Sequence, residues 1–206
     1  VRLNPPGSGY SEVDAERVMR EVYRGLKEIQ VVESAAIGNS ALLTGGMSST
    51  SLIIQSPGQS DRRPTSDVSR MRVGPNFFST LGTRVIAGRD FNEGDVRPAG
   101  AKPIAYRTVI VNESFVRKFF NGRGALGARI GLGNRVSTVP NIEVIGVVKD
   151  FSRRTLRDEG LEQIFLPYWD QNSGDGTFYV RVRGSVDSAS GAIRAAIAKV
   201  DPVLPA

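Results

Sequence analysis

The sequence contains no cysteine and no histidine among its 206 residues. Without cysteine there are no disulfide bonds and no thiolate chemistry, and the redox compartment is left open. Without histidine the chain lacks the side chain most used for proton transfer near neutral pH, which is also the commonest metal ligand. Enzymes built on carboxylates, lysine or serine are compatible with this composition. The two absences nevertheless favour a protein without catalytic activity.

Long hydrophobic runs are missing as well. Strictly apolar stretches extend only a few residues, whereas a membrane-spanning helix needs about 20. The chain begins at Val1 without a charged-then-apolar leader, so we expect an excised or processed piece of a longer protein that is soluble as given. Its 40% hydrophobic content is enough for the core of one large domain or of two small lobes.

The charge is moderately basic, with 27 basic and 21 acidic residues and a net charge of +6. Such an excess can attract nucleic acid or anionic lipid, but acidic residues are interspersed and no basic run exceeds two residues. No recognition helix, zinc motif or aromatic stripe accompanies the charge, so we predict no nucleic-acid partner. A solvated basic face, compatible with a position beside a membrane, is the preferred interpretation.

Hydrophobic periodicity predicts helices near both ends of the chain and strands between them. Ser11 followed by Asp14 is typical of a helix start, and apolar residues from Val13 to Ile29 would form the buried face. Further helices are predicted from Pro75 to Gly82, after residue 111 and over 187–200. The predicted strands are 31–37, 51–55, 68–73, 109–111, 142–148, 163–168 and 178–183. This arrangement predicts an α+β fold.

The glycine cluster at 121–133 (NGRGALGARIGLG) is the motif most suggestive of ligand binding, because glycines let backbone N–H groups approach phosphate oxygens. It lacks the Gly-Lys-Ser/Thr ending of a nucleotide P-loop, however, and it follows a predicted helix rather than a strand. We therefore interpret it as a series of turns. The polar segments 56–67 and 92–108 are expected at the surface and in a long connection, respectively.

Carboxylates and hydroxyls offer the remaining catalytic candidates. The acidic residues considered are Asp90, Glu93, Asp95, Glu113, Asp150, Asp158 and Glu159. Nothing in their spacing pairs two of them across a site, and aspartate is common in turns and caps. The hydroxyls at 48–51 lie outside any Gly-x-Ser-x-Gly elbow, although a serine–lysine dyad stays open. We nominate no catalytic, cofactor-binding or metal-binding residue, and we expect no cofactor.

Several blocks in a fixed order resemble the extracytoplasmic core domain of MacB-like and FtsX-like ABC transporter permeases. The first is VGPNFF with Leu81-Gly82 and GRDF, similar to the family's V-S-P-x-Y-F-x-x-L-G and G-R-x-F pattern. The others are Val109 to Glu113 with Phe119, Gly127 with Ile130, Val144 to Val148, and Ile164 to Tyr168. No single block is specific to the family, but the ordered set covers nearly the whole chain.

The resemblance implies a two-lobed domain outside the cell membrane, on its periplasmic or exterior face. A porter-like βαβ lobe would comprise residues 1–72 and 162–206, and an inserted mixed α/β lobe residues 73–161. The domain would lie between membrane helices of its own parent chain and would be driven by a cytoplasmic ATP-binding cassette subunit or domain. The full transporter would be a homodimer, and a periplasmic adaptor is a further implied partner. It would transmit conformational change in export or mechanotransmission, with no catalytic groups.

Two other hypotheses stay open at this point. A hydrolase or transferase using serine, lysine or carboxylates would need a deep pocket that encloses at least two perturbed titratable groups. A polyanion-binding module would rest on the net charge alone.

Overall fold

The computed structural model describes residues 1–42, 48–151, 160–171 and 174–204. The strands are β1 Arg2–Leu3, β2 Val32–Gly38, β3 Ser48–Gln55, β4 Arg62–Val73, β5 Val85–Gly88, β6 Thr108–Asn112, β7 Arg129–Leu132, β8 Ile142–Val148, β9 Gln163–Pro167 and β10 Gly176–Val182. The helices are α1 Glu12–Lys27, α2 Phe77–Leu81, α3 Glu113–Phe120 and α4 Val186–Val200. Short 3₁₀ turns cover Pro5–Ser8 and Tyr168–Asp170. Helices packed on one mixed sheet confirm the predicted α+β class.

Six of the strands pair into a closed ring. The order is β3, β7, β8, β6, β9 and β4, and β4 pairs again with β3. The β6–β8 and β4–β9 pairs are parallel, and the other four are antiparallel. Aliphatic side chains of these strands form one hydrophobic cluster with Phe115 and Val116 of α3. Each fully buried side chain of this kind stabilises the fold by about 1.5–3 kcal/mol.

A smaller antiparallel sheet, β1–β10–β2, extends from this ring. It joins the ring where Gly38 of β2 pairs with Val73 of β4. Successive side chains of a strand point to opposite faces, and Ala35 and Ile37 accordingly pack with α1 and α4, while Ala36 packs with α2. The sheet is therefore covered by helices on both faces.

Helix α1 shows how closely local sequence sets its boundaries. The hydroxyl of Ser11 accepts a hydrogen bond from the backbone N–H of Asp14 at 3.2 Å, as predicted for the N-cap. Met19 and Leu26 are fully buried on the predicted face. Val13, predicted on the same face, is 75% exposed. The prediction was wrong there because Val13 lies in the first turn, where the helix begins before it meets the sheet.

Two strands extend beyond their predicted limits. β3 begins at Ser48 rather than at residue 51, and β4 begins at Arg62 within the polar segment 56–67. The backbones of the two strands pair from Gln55↔Arg62 onwards, so a hairpin forms although its outer side chains are polar and exposed. Backbone pairing, not hydrophobic patterning, defines this part of the sheet.

The glycine cluster contains a strand that the sequence did not reveal. β7, Arg129–Leu132, lies within 121–133 and pairs with both β3 and β8. Gly131 lies directly against the loop that follows, with an added Cβ falling 2.7 Å from the carbonyl oxygen of Val139. This glycine therefore permits close backbone approach in a strand instead of making a turn.

Helix α2 begins later than predicted. Asn76 has a left-handed backbone with φ of 63°, so the helix cannot start at Pro75 and covers only Phe77–Leu81. Gly82 ends it in the left-handed conformation, as expected. The helix places Phe77 and Phe78 fully inside the core, with ring centroids 5.5 Å apart in an edge-to-face arrangement.

The proposed division into two lobes stays a prediction. Strands β3 and β9 fall within the ranges assigned to the first lobe, and they pair with β7 and β6, respectively, from the range assigned to the second. The hydrogen-bonded sheet thus runs without a break across both sets of residues.

Candidate functional site

A deeply buried arginine lies in the long connection between β5 and β6. Arg97 is 1% exposed, and its guanidinium pairs with Glu16 of α1. The same guanidinium donates to the carbonyl oxygens of Trp169, at 2.9 Å, and Ala101. Its backbone N–H donates to the Asp170 carboxylate at 2.9 Å. These contacts fasten the predicted polar connection to α1 and to the turn after β9.

Arg20 extends this network on the exposed side of α1. Its Nε lies 2.8 Å from the Glu16 carboxylate, and its guanidinium carbon lies 4.3 Å above the Trp169 ring. Burial raises the pKa of Asp170, and the Arg97 backbone and the Arg107 charge offset only part of that effect. The network joins three distant segments, which indicates a structural role rather than a reaction centre.

A second network surrounds Asp150, one of the carboxylates considered from the sequence. Asp150 accepts hydrogen bonds from Asn112 at 2.6 Å, from the Ser114 backbone at 2.9 Å and from Arg117 at 2.7 Å. Burial alone would raise the pKa of Asp150, but the Ser114 and Arg117 hydrogen bonds outweigh it and hold that pKa below its usual value. Each oxygen of this carboxylate is occupied by donors, so Asp150 serves the start of α3 and is not placed as a proton acceptor.

Asn112 is the centre of the same network. Its Oδ1 accepts from the backbone N–H groups of Phe115, at 3.1 Å, and Gln163, at 2.9 Å. Its Nδ2 donates to Asp150 and to the carbonyl oxygen of Leu161, at 2.8 Å. One side chain thereby caps α3 and ties the segment before β9 to it.

The acidic residues after β5 form a third network. Arg89 binds both oxygens of Asp95, at 2.5 and 2.8 Å. Burial, reinforced by the charge of Asp95, raises the pKa of Asp90 to about 6, although the Phe91 N–H donates to it at 2.7 Å. Burial would raise the pKa of Asp95 too, but Arg89 and the Asn92 N–H lower it overall. Asp95 is therefore held in its charged form, whereas Asp90 keeps its proton to a higher pH than an ordinary aspartate does.

The other candidate residues from the sequence make local hydrogen bonds, are exposed to solvent or lie outside the described residues. Ser48 accepts a hydrogen bond from Arg70 Nε at 3.1 Å, and the Thr50 hydroxyl donates to the Ser51 carbonyl at 3.2 Å. Glu113 accepts from the Asp150 backbone at 3.2 Å. Glu93 is exposed. Asp158 and Glu159 lie outside the described residues.

The glycine cluster faces an apolar groove. Gly122, Gly124 and Gly127 have left-handed backbones, as the turn interpretation predicts. The first two line a groove of about 450 Å³ together with Ile86, Leu126 and other mainly apolar neighbours. A groove of this composition offers packing surface rather than a cradle of N–H donors for a nucleotide.

The hydrolase hypothesis required two perturbed titratable groups inside one pocket. Across the described ranges, none of the five main grooves is lined by Asp90, Asp95, Asp150 or Asp170. The same part of the chain contains no group of three or more acidic residues arranged to hold a metal ion. Among the described residues, the sequence candidates thus fall into two separate networks, Glu113 with Asp150 and Asp90 with Asp95, and no two of these four carboxylates line the same groove.

The sequence missed the Glu16–Arg97 pair altogether. Glu16 stands on a helix with polar neighbours, and Arg97 stands in a segment rich in Gly, Pro and Ala. The one available sequence signal was the apolar Val96 next to Arg97 in that segment. In the structure both residues are buried. Only the tertiary fold shows that they face α1.

Comparison with known proteins gives one family and a consistent fold. The family model for the MacB-like periplasmic core domain matches residues 2–199. The periplasmic region of MacB from Actinobacillus actinomycetemcomitans superposes with a TM-score of 0.59 at 16% identity, covering 88% of this chain and 73% of that one. No match was found among curated protein sequences.

Two further solved structures are similar. The extracellular domain of the noncanonical ABC-type transporter YknZ from Gram-positive bacteria has a TM-score of 0.52 at 18% identity, covering 84% of this chain and 76% of that one. A domain of a putative permease protein from Porphyromonas gingivalis has a TM-score of 0.55 at 21% identity, with coverages of 86% and 69%. At these identities the superpositions establish the shared fold.

Within the described ranges, no helix combines the length and apolarity needed to cross a bilayer. The family match spans nearly all of the chain, and the ordered blocks that suggested the resemblance lie within it. The recognition made from those blocks is confirmed, and the chain belongs to the family of MacB-like periplasmic core domains, which are extracytoplasmic parts of ABC transporter permeases.

Proposed function

We propose that this domain has no catalytic activity and transmits conformational change between the membrane helices of its parent chain and envelope partners or substrate. The setting would be export or mechanotransmission across the envelope. A cytoplasmic ATP-binding cassette subunit or domain would supply the energy, and two copies of the permease would act together. A periplasmic adaptor is a further proposed partner.

The observation that carries this proposal is that segments near both ends of the described chain pack into the same sheet and helix pair. The backbone nitrogen of Val1 donates to the Phe178 carbonyl at 2.8 Å, and β1 pairs with β10. At the other end, Asp201 follows α4 and accepts a hydrogen bond from the Tyr10 hydroxyl. Forces applied at either end would therefore act on the same sheet and the same helix pair.

The sheet also provides a path from these ends to the ring. β2 connects the terminal sheet to β4 at Gly38↔Val73, and β4 belongs to the ring. Close-packed elements transmit displacement because they deform little. A tilt imposed on the terminal sheet is expected to move the ring with it, including the ring strands β6, β7 and β8 that fall in the range 73–161 proposed for the second lobe.

The proposal can be tested with spin labels, because these 206 residues contain no cysteine that would compete with the introduced label sites in this domain. Arg194 on α4 and Asn134 after β7 are both exposed and lie in the two parts of the fold. Arg194→Cys together with Asn134→Cys reports the distance within one copy. Arg194→Cys alone reports the distance between the two copies of the full transporter. Both are measured by pulsed electron paramagnetic resonance, with and without ATP.

We expect ATP to change the distance between copies and to leave the distance within a copy unchanged. A parent transporter with an inactivated ATPase is the control, and it should show neither change. An ATP-dependent change within one copy would contradict a rigid transmitter. Identical distances between copies in both nucleotide states would contradict transmission itself.

A further inference from the structure

A groove of about 520 Å³ lies between α1 and the connection that Arg97 fastens to it. We call it the α1 groove. One of its walls is α1 and the other is the connection, and every residue that lines it lies within 13–24 or 97–103. It shares no residue with the apolar groove beside the glycine cluster, so the two are separate surfaces.

The two walls of the α1 groove are joined by buried contacts. Arg97 pairs with Glu16 of α1 and also donates to the carbonyl oxygen of Ala101 in its own segment. Arg20 of α1 donates to the Arg97 carbonyl oxygen at 3.0 Å, which links the walls a second time. The groove is therefore already formed before a partner binds, and binding needs little rearrangement of the chain.

Positive charge is in excess along the α1 groove. Five basic and two acidic side chains line it, which gives a net charge of +3. Both glutamates already pair with arginines of the same groove. Arg24 on α1 and Lys102 on the connection are exposed, and no described carboxylate lies within 4 Å of either charged group. The cations left to meet a partner therefore lie one on each wall.

Small apolar side chains complete the lining of the α1 groove. They are Val13, Ala99, Ala101 and Pro103. All four are exposed, and Val13 is 75% exposed. A partner that covers them removes apolar surface from water, which is favourable. The groove thus offers two kinds of contact, with unpaired cations and with apolar surface.

We propose that the α1 groove binds an acidic peptide segment of a partner protein. Carboxylates of the segment pair with Arg24 and Lys102, and its apolar side chains cover the alanine and proline surface. Complementary charge of this kind steers a partner to the site and fixes its orientation. A membrane surface fits less well, because helices that lie on a bilayer insert bulky apolar side chains. The α1 groove is concave and offers only valine, alanine and proline.

The probe is a fluorescent twelve-residue peptide that repeats glutamate, leucine and alanine, with a twin that carries glutamine in place of glutamate. Fluorescence anisotropy gives the dissociation constant, and amide chemical shifts of the ¹⁵N-labelled chain locate the site. We expect saturable binding of the glutamate peptide, with shifts centred on 13–24 and 97–103. Binding should weaken as the salt concentration rises, and the glutamine peptide should bind much more weakly.

Four variants of the chain test the two walls and the apolar surface. Arg24→Gln and Lys102→Gln should each weaken binding about two- to five-fold, as for exposed charge pairs, and together roughly ten-fold. Ala101→Trp keeps every charge but fills the groove, and it should abolish binding. Arg194→Gln is the matched control, because Arg194 is an exposed helix arginine that lines none of the five main grooves; it should bind like the wild type. Thermal unfolding without peptide verifies that each variant is folded.

Four results would overturn the proposal. The first is the absence of saturable binding, and the second is equal weakening by Arg24→Gln, Lys102→Gln and Arg194→Gln, which would reflect net charge alone. The third is weakening by Arg24→Gln but not by Lys102→Gln, which would place the peptide between α1 and α4, in a groove that Arg24 also lines. The fourth is flotation with phosphatidylglycerol vesicles that is lost in the double variant, without peptide binding, which would assign the groove to a membrane surface. None of these measurements involves ATP, so their outcome is independent of whether the domain transmits conformational change.

Discussion

Replacing Glu16 by glutamine should destabilise the domain far more than its position on an outer helix suggests. The change keeps the size of the side chain and removes only its charge. Arg97, whose side chain is 1% exposed, would lose its one carboxylate partner and retain the Trp169 and Ala101 carbonyls. Arg20 would also lose the Glu16 carboxylate as its ion-pair partner, but its side chain is 16% exposed and is therefore partly solvated by water.

The magnitude follows from leaving a buried guanidinium without a counter-ion. Breaking a buried ion pair from one side costs about 3–5 kcal/mol. Two carbonyl contacts persist around Arg97, so we expect the lower end, about 3 kcal/mol. For a domain of this size, with about 2–4 °C lost per kcal/mol, the thermal midpoint should fall by about 6–12 °C.

Glu21→Gln is the matched control on the same helix. Glu21 also pairs with an arginine four residues away, Arg17, at 3.2 Å, but the side chains are 59% and 38% exposed, respectively for Arg17 and Glu21. An exposed pair of this kind contributes about 0.3–0.5 kcal/mol. The difference in unfolding free energy between the two variants reports the effect of burial. Both variants replace a glutamate on α1 that pairs with an arginine four residues away.

Urea unfolding followed by the fluorescence of Trp169, the single tryptophan, measures these free energies. The double variant Glu16→Gln with Arg97→Met should cost less than the sum of its single changes, because no uncompensated charge is left inside. If Glu16→Gln proved as mild as Glu21→Gln, the network would not hold the connection to α1, and this reasoning would be refuted.

Three further predictions concern the rest of the fold. Asn112→Ala should cost about 2–4 kcal/mol in urea unfolding, because it removes the α3 cap and leaves the buried Gln163 N–H without an acceptor; a cost no larger than that of an exposed substitution would contradict this role. Gly88→Ala should lower the thermal midpoint sharply, since its φ is 68° and the new Cβ would lie 2.2 Å from the Ile145 carbonyl oxygen; an unchanged midpoint would contradict the close approach. Asp90, with its pKa raised from 3.8 to about 6, binds a proton more tightly in the folded state, so stability should fall as pH rises from about 4 to 6; Asp90→Asn should remove that slope, and a slope that persists would assign it to other groups.

The sequence predicted best where local chemistry decides the structure. The Ser11 cap, the strand at Ile142–Val148 and the end of α2 at Gly82 were all predicted and are confirmed. In each case a short pattern, such as a capping hydroxyl, an apolar run or a left-handed glycine, is sufficient without knowledge of the rest of the fold.

Prediction failed where pairing with a distant strand decides the structure. β7 was hidden in the glycine cluster because four residues with a central glycine carry no periodic signal, and its existence depends on β3 and β8 on either side. The first half of β4 was hidden for a similar reason, since exposed polar residues and Pro64 read as a surface segment. A strand can tolerate such residues when its partner supplies the backbone hydrogen bonds.

The networks around Arg97 and Asn112 could not be predicted for a related reason. Each joins side chains from segments far apart in sequence, and a single charged or amide residue has no local pattern that distinguishes it from a solvated one. Glu16 illustrates this point, because its place on an amphipathic helix does not indicate that it pairs with Arg97.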